Sequence, residues 1–217
     1  WSLSYFKNIY KLSGEKIFML PGPLDNSIIY KEVFSKTKNE LKNYLLSNYK
    51  IPKNKKLILF VGTHASKGVN NLLELAEKIK EKNLLVEIIW ISDSKKIMER
   101  VKTLYLNDYI KIIKPLNRDK LIELLKGVDY LFWSTLLGVG YGQIMLESIL
   151  CETEVICYQA IGDAKHIVKD KSYQNTNQIL DRIKGIIPPK KIAIPEFMDE
   201  KILSVKHLNL FHKILRG

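Results

Sequence analysis

Residues 57–68 read LILFVGTHASKG, and this stretch decides the fold. Leu57-Ile58-Leu59-Phe60-Val61 is apolar at every position. A strand with one solvated face would alternate polar and apolar residues, so the run predicts a parallel strand covered on both sides. Gly62 ends it. Val69, Leu72, Leu73, Ala76 and Ile79 then recur at helical spacing, with lysines and glutamates opposite. Strand, glycine turn and amphipathic helix form the opening unit of an α/β chain.

The alternation continues outward. Val86–Ile91 predicts a second strand, Ile97, Val101 and Leu104 a helix, and residues 109–113 a short strand. Asn117 is placed to cap a helix over 118–126. Residues 130–133 read as a strand, 145–150 as a helix after a glycine-rich loop, and 155–158 as the last strand. Strands alternating with helices of this length predict a doubly wound parallel, Rossmann-like sheet. Such sheets bind ligands outside the carboxyl ends of their strands, near the point where strand order reverses. The connections to watch are 62–68, 92–95 and 134–142.

Composition narrows the class without choosing a function. At 217 residues, 46% hydrophobic and 27% charged, the chain can bury a sizeable core and is not disordered in character. No apolar run approaches the roughly 18 residues of a membrane-crossing helix. No secretory leader is recognisable at the start, and Cys151 and Cys157 form no CxxC pair, so a reducing cytoplasm is the expected home. The net charge of +12 points to an anionic partner: nucleic acid, a membrane surface or a phosphorylated ligand. Half of that excess lies between residues 36 and 56, where seven lysines face one glutamate on an amphipathic helix around 40–49 and a short IPKNKK linker. A solvated helix face is the simplest expectation for these lysines, and their lack of interleaved arginines and exposed aromatics makes nucleic acid a poor fit.

Two glycine loops remain. Gly62-Thr63-His64-Ala65-Ser66-Lys67-Gly68 joins a buried strand to a helix N-terminus, where unpaired amides favour an anion and Lys67 adds a cation. It is neither GxxxxGK[ST] nor GxGxxG, so a nicotinamide dinucleotide is disfavoured. It is either a phosphate loop or an ordinary turn. Gly138-Val139-Gly140-Tyr141-Gly142 precedes a helix that is apolar apart from Glu147 and a few neutral polar residues. Three alternating glycines cost chain entropy unless the backbone turns sharply or nearly touches a ligand. Glu147 is either solvent-facing or a bidentate acceptor for two vicinal hydroxyls, such as those of a ribose.

In order, LILFVGTHASKGVNNLLELA, YLFWSTLLGVGYGQIMLESILCETEVICY and IGDAKHIV resemble the C-terminal domain of glycosyltransferase family 4, retaining GT-B enzymes with nucleotide-sugar donors. Lys67-Gly68 matches that family's K-G, Gly140-Tyr141-Gly142 its G-F-G, and Glu147 the second of its two glutamates; IFMLPGPLD upstream is similar to its hinge. The resemblance implies a donor-binding site of Gly62, Thr63, His64, Lys67, Lys114, Gly140, Tyr141, Gly142 and Glu147. Lys67 would meet the diphosphate, Gly140 to Gly142 would shape the sugar and phosphate pocket, Glu147 would take the ribose, and Lys114 would flank the base. No cofactor or bound metal is implied beyond a UDP- or GDP-linked sugar. The implied division is a remnant of a preceding half with hinge and basic helix over 1–55, a donor-binding domain over 56–195 and a C-terminal helix over 196–217.

A missing N-terminal half would hold the acceptor, a glycan or a lipid-linked molecule, so the fragment alone is expected to be inactive. The lysines of 36–56 would then be a solvated face near the hinge, and any partner they have is expected to be a membrane surface carrying a lipid-linked acceptor rather than nucleic acid. Three departures stand out. Thr63 occupies the family's phosphate-binding arginine position in a loop one residue shorter, Val139 replaces the first glutamate, and Glu152-Thr153-Glu154 replaces G-T-P. A non-catalytic relative kept as a binding subunit, or an unrelated basic Rossmann-like module that binds nucleic acid, are the alternatives these features leave open.

Overall fold

The computed structural model describes residues 35–134, 142–159 and 168–193. Five parallel strands, β1 Lys56–Val61, β2 Val86–Ile91, β3 Ile110–Ile113, β4 Tyr130–Trp133 and β5 Glu154–Cys157, form one sheet in the order β3-β2-β1-β4-β5. The order reverses between β1 and β4, which pair through Ile58↔Tyr130 and Leu59↔Leu131. This is the doubly wound sheet that the apolar runs predict. The predicted strands over 57–61, 86–91 and 130–133 agree with the observed ones to within a residue, because each is buried almost throughout.

Helices cover both faces. On one side, α2 Val69–Glu81, α3 Lys95–Thr103 and α6 Thr176–Lys184 pack with Ile58, Phe60, Ile88 and Trp90. On the other, α1 Lys38–Asn48, α4 Arg118–Gly127 and α5 Gln143–Leu150 cover Leu57, Leu59, Ile89 and Leu131. Asn117 caps α4 as predicted, its side chain accepting from the Lys120 amide. Helix α6 is not among the elements read from sequence, although Asn175 caps it and Ile179, Leu180 and Ile183 are buried. The hinge-like segment 17–25, the loop 135–141 and the predicted helix over 196–217 lie outside the described residues.

The basic stretch behaves differently from a solvated face. Thr37 and Glu40 form a reciprocal capping box that starts α1. Leu41 and Leu45 then lie against Gly127 of α4 so closely that a Cβ on Gly127 would fall 2.6 Å from Leu45 Cδ1. Five of the seven lysines are tied down. Lys36 pairs with Glu123, Lys42 with both carboxylate oxygens of Asp129, and Lys55 with Glu87. Lys38 donates to the Glu152 carbonyl and Lys56 to that of Ile183. Asp129 also accepts from the Leu57 amide, so one carboxylate joins α1 to the start of β1.

If α1 belongs to the packed core, Leu45→Ala should cost about 2–4 kcal/mol in urea unfolding without splitting the transition. A loss below about 0.5 kcal/mol would show that α1 is an appendage.

Candidate functional site

The connections after β1 and β4 leave the sheet side by side at the strand-order reversal, and a cleft of about 480 Å³ opens there. Its lining includes Phe60 to His64 and Lys67 from the first connection, Leu131 to Ser134 from β4, Gly142, Gln143, Ile144 and Glu147 from α5, and Arg118 from α4. Six of the nine residues implied by resemblance meet in this cleft: Gly62, Thr63, His64, Lys67, Gly142 and Glu147. Lys114 stands exposed past the end of β3, two strands from the β1–β4 junction, and does not line it. Gly140 and Tyr141 lie outside the described residues.

The backbone explains the glycines. Trp90 Nε1 donates to the Gly62 carbonyl at 2.8 Å, anchoring the first loop on the core. The loop then makes one 3-10 turn over Ala65–Lys67 and reaches Gly68 with φ +81°. A Cβ there would sit 2.4 Å from the Ser134 carbonyl oxygen. Only glycine lets the loop after β1 abut the end of β4 so closely. Asn71 Nδ2 reinforces the junction by donating to Ser134 Oγ at 2.8 Å. Gly142 precedes α5 with φ +63°, and a Cβ on it would meet Trp133 Nε1 at 2.7 Å. Trp133 is thus both a core residue and part of the cleft wall. The helices α2 and α5 begin at these two glycines, so their unpaired amides and positive dipole ends lie at the same edge of the sheet.

Glu147 is the most perturbed group in the cleft. Its side chain is 2% exposed, which removes the solvent-facing alternative, and Arg118 Nη2 lies 2.7 Å from its Oε1. The pair is close but poorly aimed, for Arg118 Nε and Nη2 and Glu147 Oε1 are buried without a directed hydrogen bond. Burial pushes the Glu147 carboxyl above its ordinary value, and Arg118 draws it only part of the way back. Thr63, His64 and Lys67, by contrast, are exposed along the cleft. Cys151 and Cys157 are free thiols buried in the core, and burial raises both to about 12. They are packing residues, not nucleophiles.

Arg118 was visible in the sequence only as the first residue of a helix. Nothing local marks it, because its acidic partner is 29 positions later and reaches it through the packing of α4 on α5.

Two glycine-started helices thus face one crevice at the strand-order reversal, the place where open parallel sheets bind ligands. The family Glycosyl transferases group 1 matches residues 44–182, and the chain belongs to that family. Its fold is similar to that of a glycosyltransferase from Rickettsia africae, at 18% identity and TM-score 0.77 over 99% of this chain and 61% of the other. It is also similar to WaaG, a glycosyltransferase involved in lipopolysaccharide biosynthesis, at 18% identity and TM-score 0.67, with 84% and 50% covered. HepE from Anabaena, solved with UDP and glucose, gives 15% identity and TM-score 0.64, with 80% and 48% covered. The chain spans about half to three fifths of the length of these proteins. No curated protein matches it by sequence.

Because the folded-state value of Glu147 is raised, its contribution to stability is full below the ordinary value of 4.5 and is lost as pH rises through the folded value. The stability of the wild type relative to Glu147→Gln, from urea unfolding, should therefore be greatest below the ordinary value of 4.5 and fall as pH rises above it. A difference that grows with pH would mean that Arg118 holds the carboxyl below its ordinary value.

Proposed function

We propose that this chain is the donor-binding half of a retaining, family-4-like glycosyltransferase that moves a sugar from a nucleotide diphosphate sugar to an acceptor. The observation that carries the reading is the convergence of the Gly62–Gly68 loop, the start of α5 and the buried Glu147 on one cleft at the β1–β4 junction. Membership of the glycosyl transferases group 1 supports the reaction class, and the UDP-bound state of the similarly folded HepE supports a nucleotide donor.

In this reading the diphosphate lies against the amides that open α2 and α5, with Lys67 neutralising its charge. As the bond from the sugar to the diphosphate breaks, negative charge grows on the departing phosphate. Fixed amide dipoles and a cation stabilise that charge without reorganising. The Glu147 carboxylate accepts hydrogen bonds from the ribose hydroxyls and fixes the nucleoside in register. In this reading Lys67 and the helix-start amides meet the diphosphate charge, and no resident cofactor is invoked. The acceptor, a glycan or lipid-linked molecule, approaches from a second half not contained in this chain, so transfer needs both. Peripheral attachment at a cytoplasmic membrane surface fits a lipid-linked acceptor. The lysines in and just before α1 are weak support for it, since Lys36, Lys38 and Lys42 are engaged within the fold. Among the described residues no helix is long and apolar enough to cross a membrane.

Calorimetry with UDP and GDP should show binding of at least one, and Lys67→Ala should weaken it about 10- to 100-fold, the weight of a charge-assisted contact. Absence of binding to either nucleotide would overturn the reading.

A further inference from the structure

The two oxygens of Glu147 have unequal surroundings. Oε1 lies 2.7 Å from Arg118 Nη2 and is shut from solvent, as are Nε and Nη2 of the arginine. The buried edge of the guanidinium thus faces the carboxylate. The Glu147 side chain nonetheless lines the cleft, so Oε2 is the oxygen left to a ligand.

Nothing local favours an arginine at this position. Asn117 caps α4 and makes Arg118 its first residue, where a cation opposes the helix dipole. The packing of α4 on α5 brings it to Glu147. There it has a chemical consequence. A carboxyl buried without a cation takes up a proton, and a protonated carboxyl spends one oxygen as a donor. The hydroxyls of a ribose need an acceptor. Burial pushes Glu147 above its ordinary value, and Arg118 is the group that draws it back. Among the described residues around it no other group takes this part. His64 and Lys67 stand exposed on the connection after β1, and the β4 wall of Leu131 to Ser134 is uncharged. Cys151, one turn on along α5, is a buried thiol that burial raises to about 12.

We propose that Arg118 is a positioning residue, holding Glu147 Oε1 so that the carboxylate offers Oε2 to the ribose hydroxyls of the donor. Arg118 itself touches no part of the ligand. This role rests on the donor-binding reading above, to which it adds the residue that gives the ribose acceptor its orientation and its charge.

The test is calorimetry of the full chain with UDP, GDP and inorganic pyrophosphate on both sides of neutral pH, with thermal unfolding of each variant alongside. Arg118→Met should weaken the nucleoside diphosphate about 10-fold near neutral pH. Pyrophosphate, which has no ribose, should bind as it does to wild type. Measured against Glu147→Gln, which carries only the ligand's own titration, the loss should shrink as pH rises and the carboxyl ionises. In a chain that already carries Glu147→Gln, Arg118→Met should cost nothing further, because the arginine acts through the glutamate. Arg118→Lys keeps the charge and should recover most of the affinity; Arg118→Gln replaces the methionine variant if that one does not fold. A loss that is equal at every pH, or that adds to the loss from Glu147→Gln, would reduce Arg118 to scaffold and overturn the proposal. Loss of pyrophosphate would place the guanidinium on the phosphates and overturn it as well. If wild type and Glu147→Gln bind nucleotide equally, the ribose contact falls and this proposal with it, while the donor reading stands. A wild type that binds no nucleotide overturns the donor reading itself.

Discussion

The pairing of β1 with β4 is the constraint on which the cleft depends. The two strands are neighbours in the sheet, with the β2 and β3 units lying between them in sequence. Their connections run to opposite faces, α2 on one side and α5 on the other, and a crevice must open where they part. The crevice is held to shape by contact at its floor. Gly68 lies against the Ser134 carbonyl, Asn71 donates to the Ser134 hydroxyl, and Gly142 lies over Trp133. Each glycine is required by an approach that a side chain would block. Both bring the start of a helix to the ligand edge.

Much of the fold can be read from residues 57–61, 86–91 and 130–133, because strands buried on both faces are apolar at nearly every position, the buried Glu87 that pairs with Lys55 being the exception. The lysines of 36–56 were harder. Local sequence shows charge without partners, and their acidic partners Glu123, Asp129 and Glu87 are 32 to 87 positions away. What reads as a solvated basic face is a helix pinned to α4 and to the start of β1. Much of the basic excess in this stretch is thus spent on holding the sheet's flank.

The site was legible in part for the same reason. Gly62, Lys67, Gly142 and Glu147 carry local signals: glycines at strand ends, and a carboxylate on an otherwise largely apolar helix. Local sequence leaves Glu147 open between solvent and ligand, since the spacing Ile144, Met145, Leu146, Ile149, Leu150 does not say which side of α5 is covered. Lys114 and Arg118 are four positions apart in one connection, yet only Arg118 reaches the cleft. That difference is set by where α4 begins, not by residue type.

The most direct test of the account is amide chemical-shift mapping of the protein titrated with UDP or GDP. The account predicts shifts concentrated at Gly62 to Gly68, Ser134 and Gly142 to Glu147, with α1 and its lysines unmoved. Shifts centred on α1, or spread along the far ends of the strands, would contradict a donor site at the β1–β4 junction.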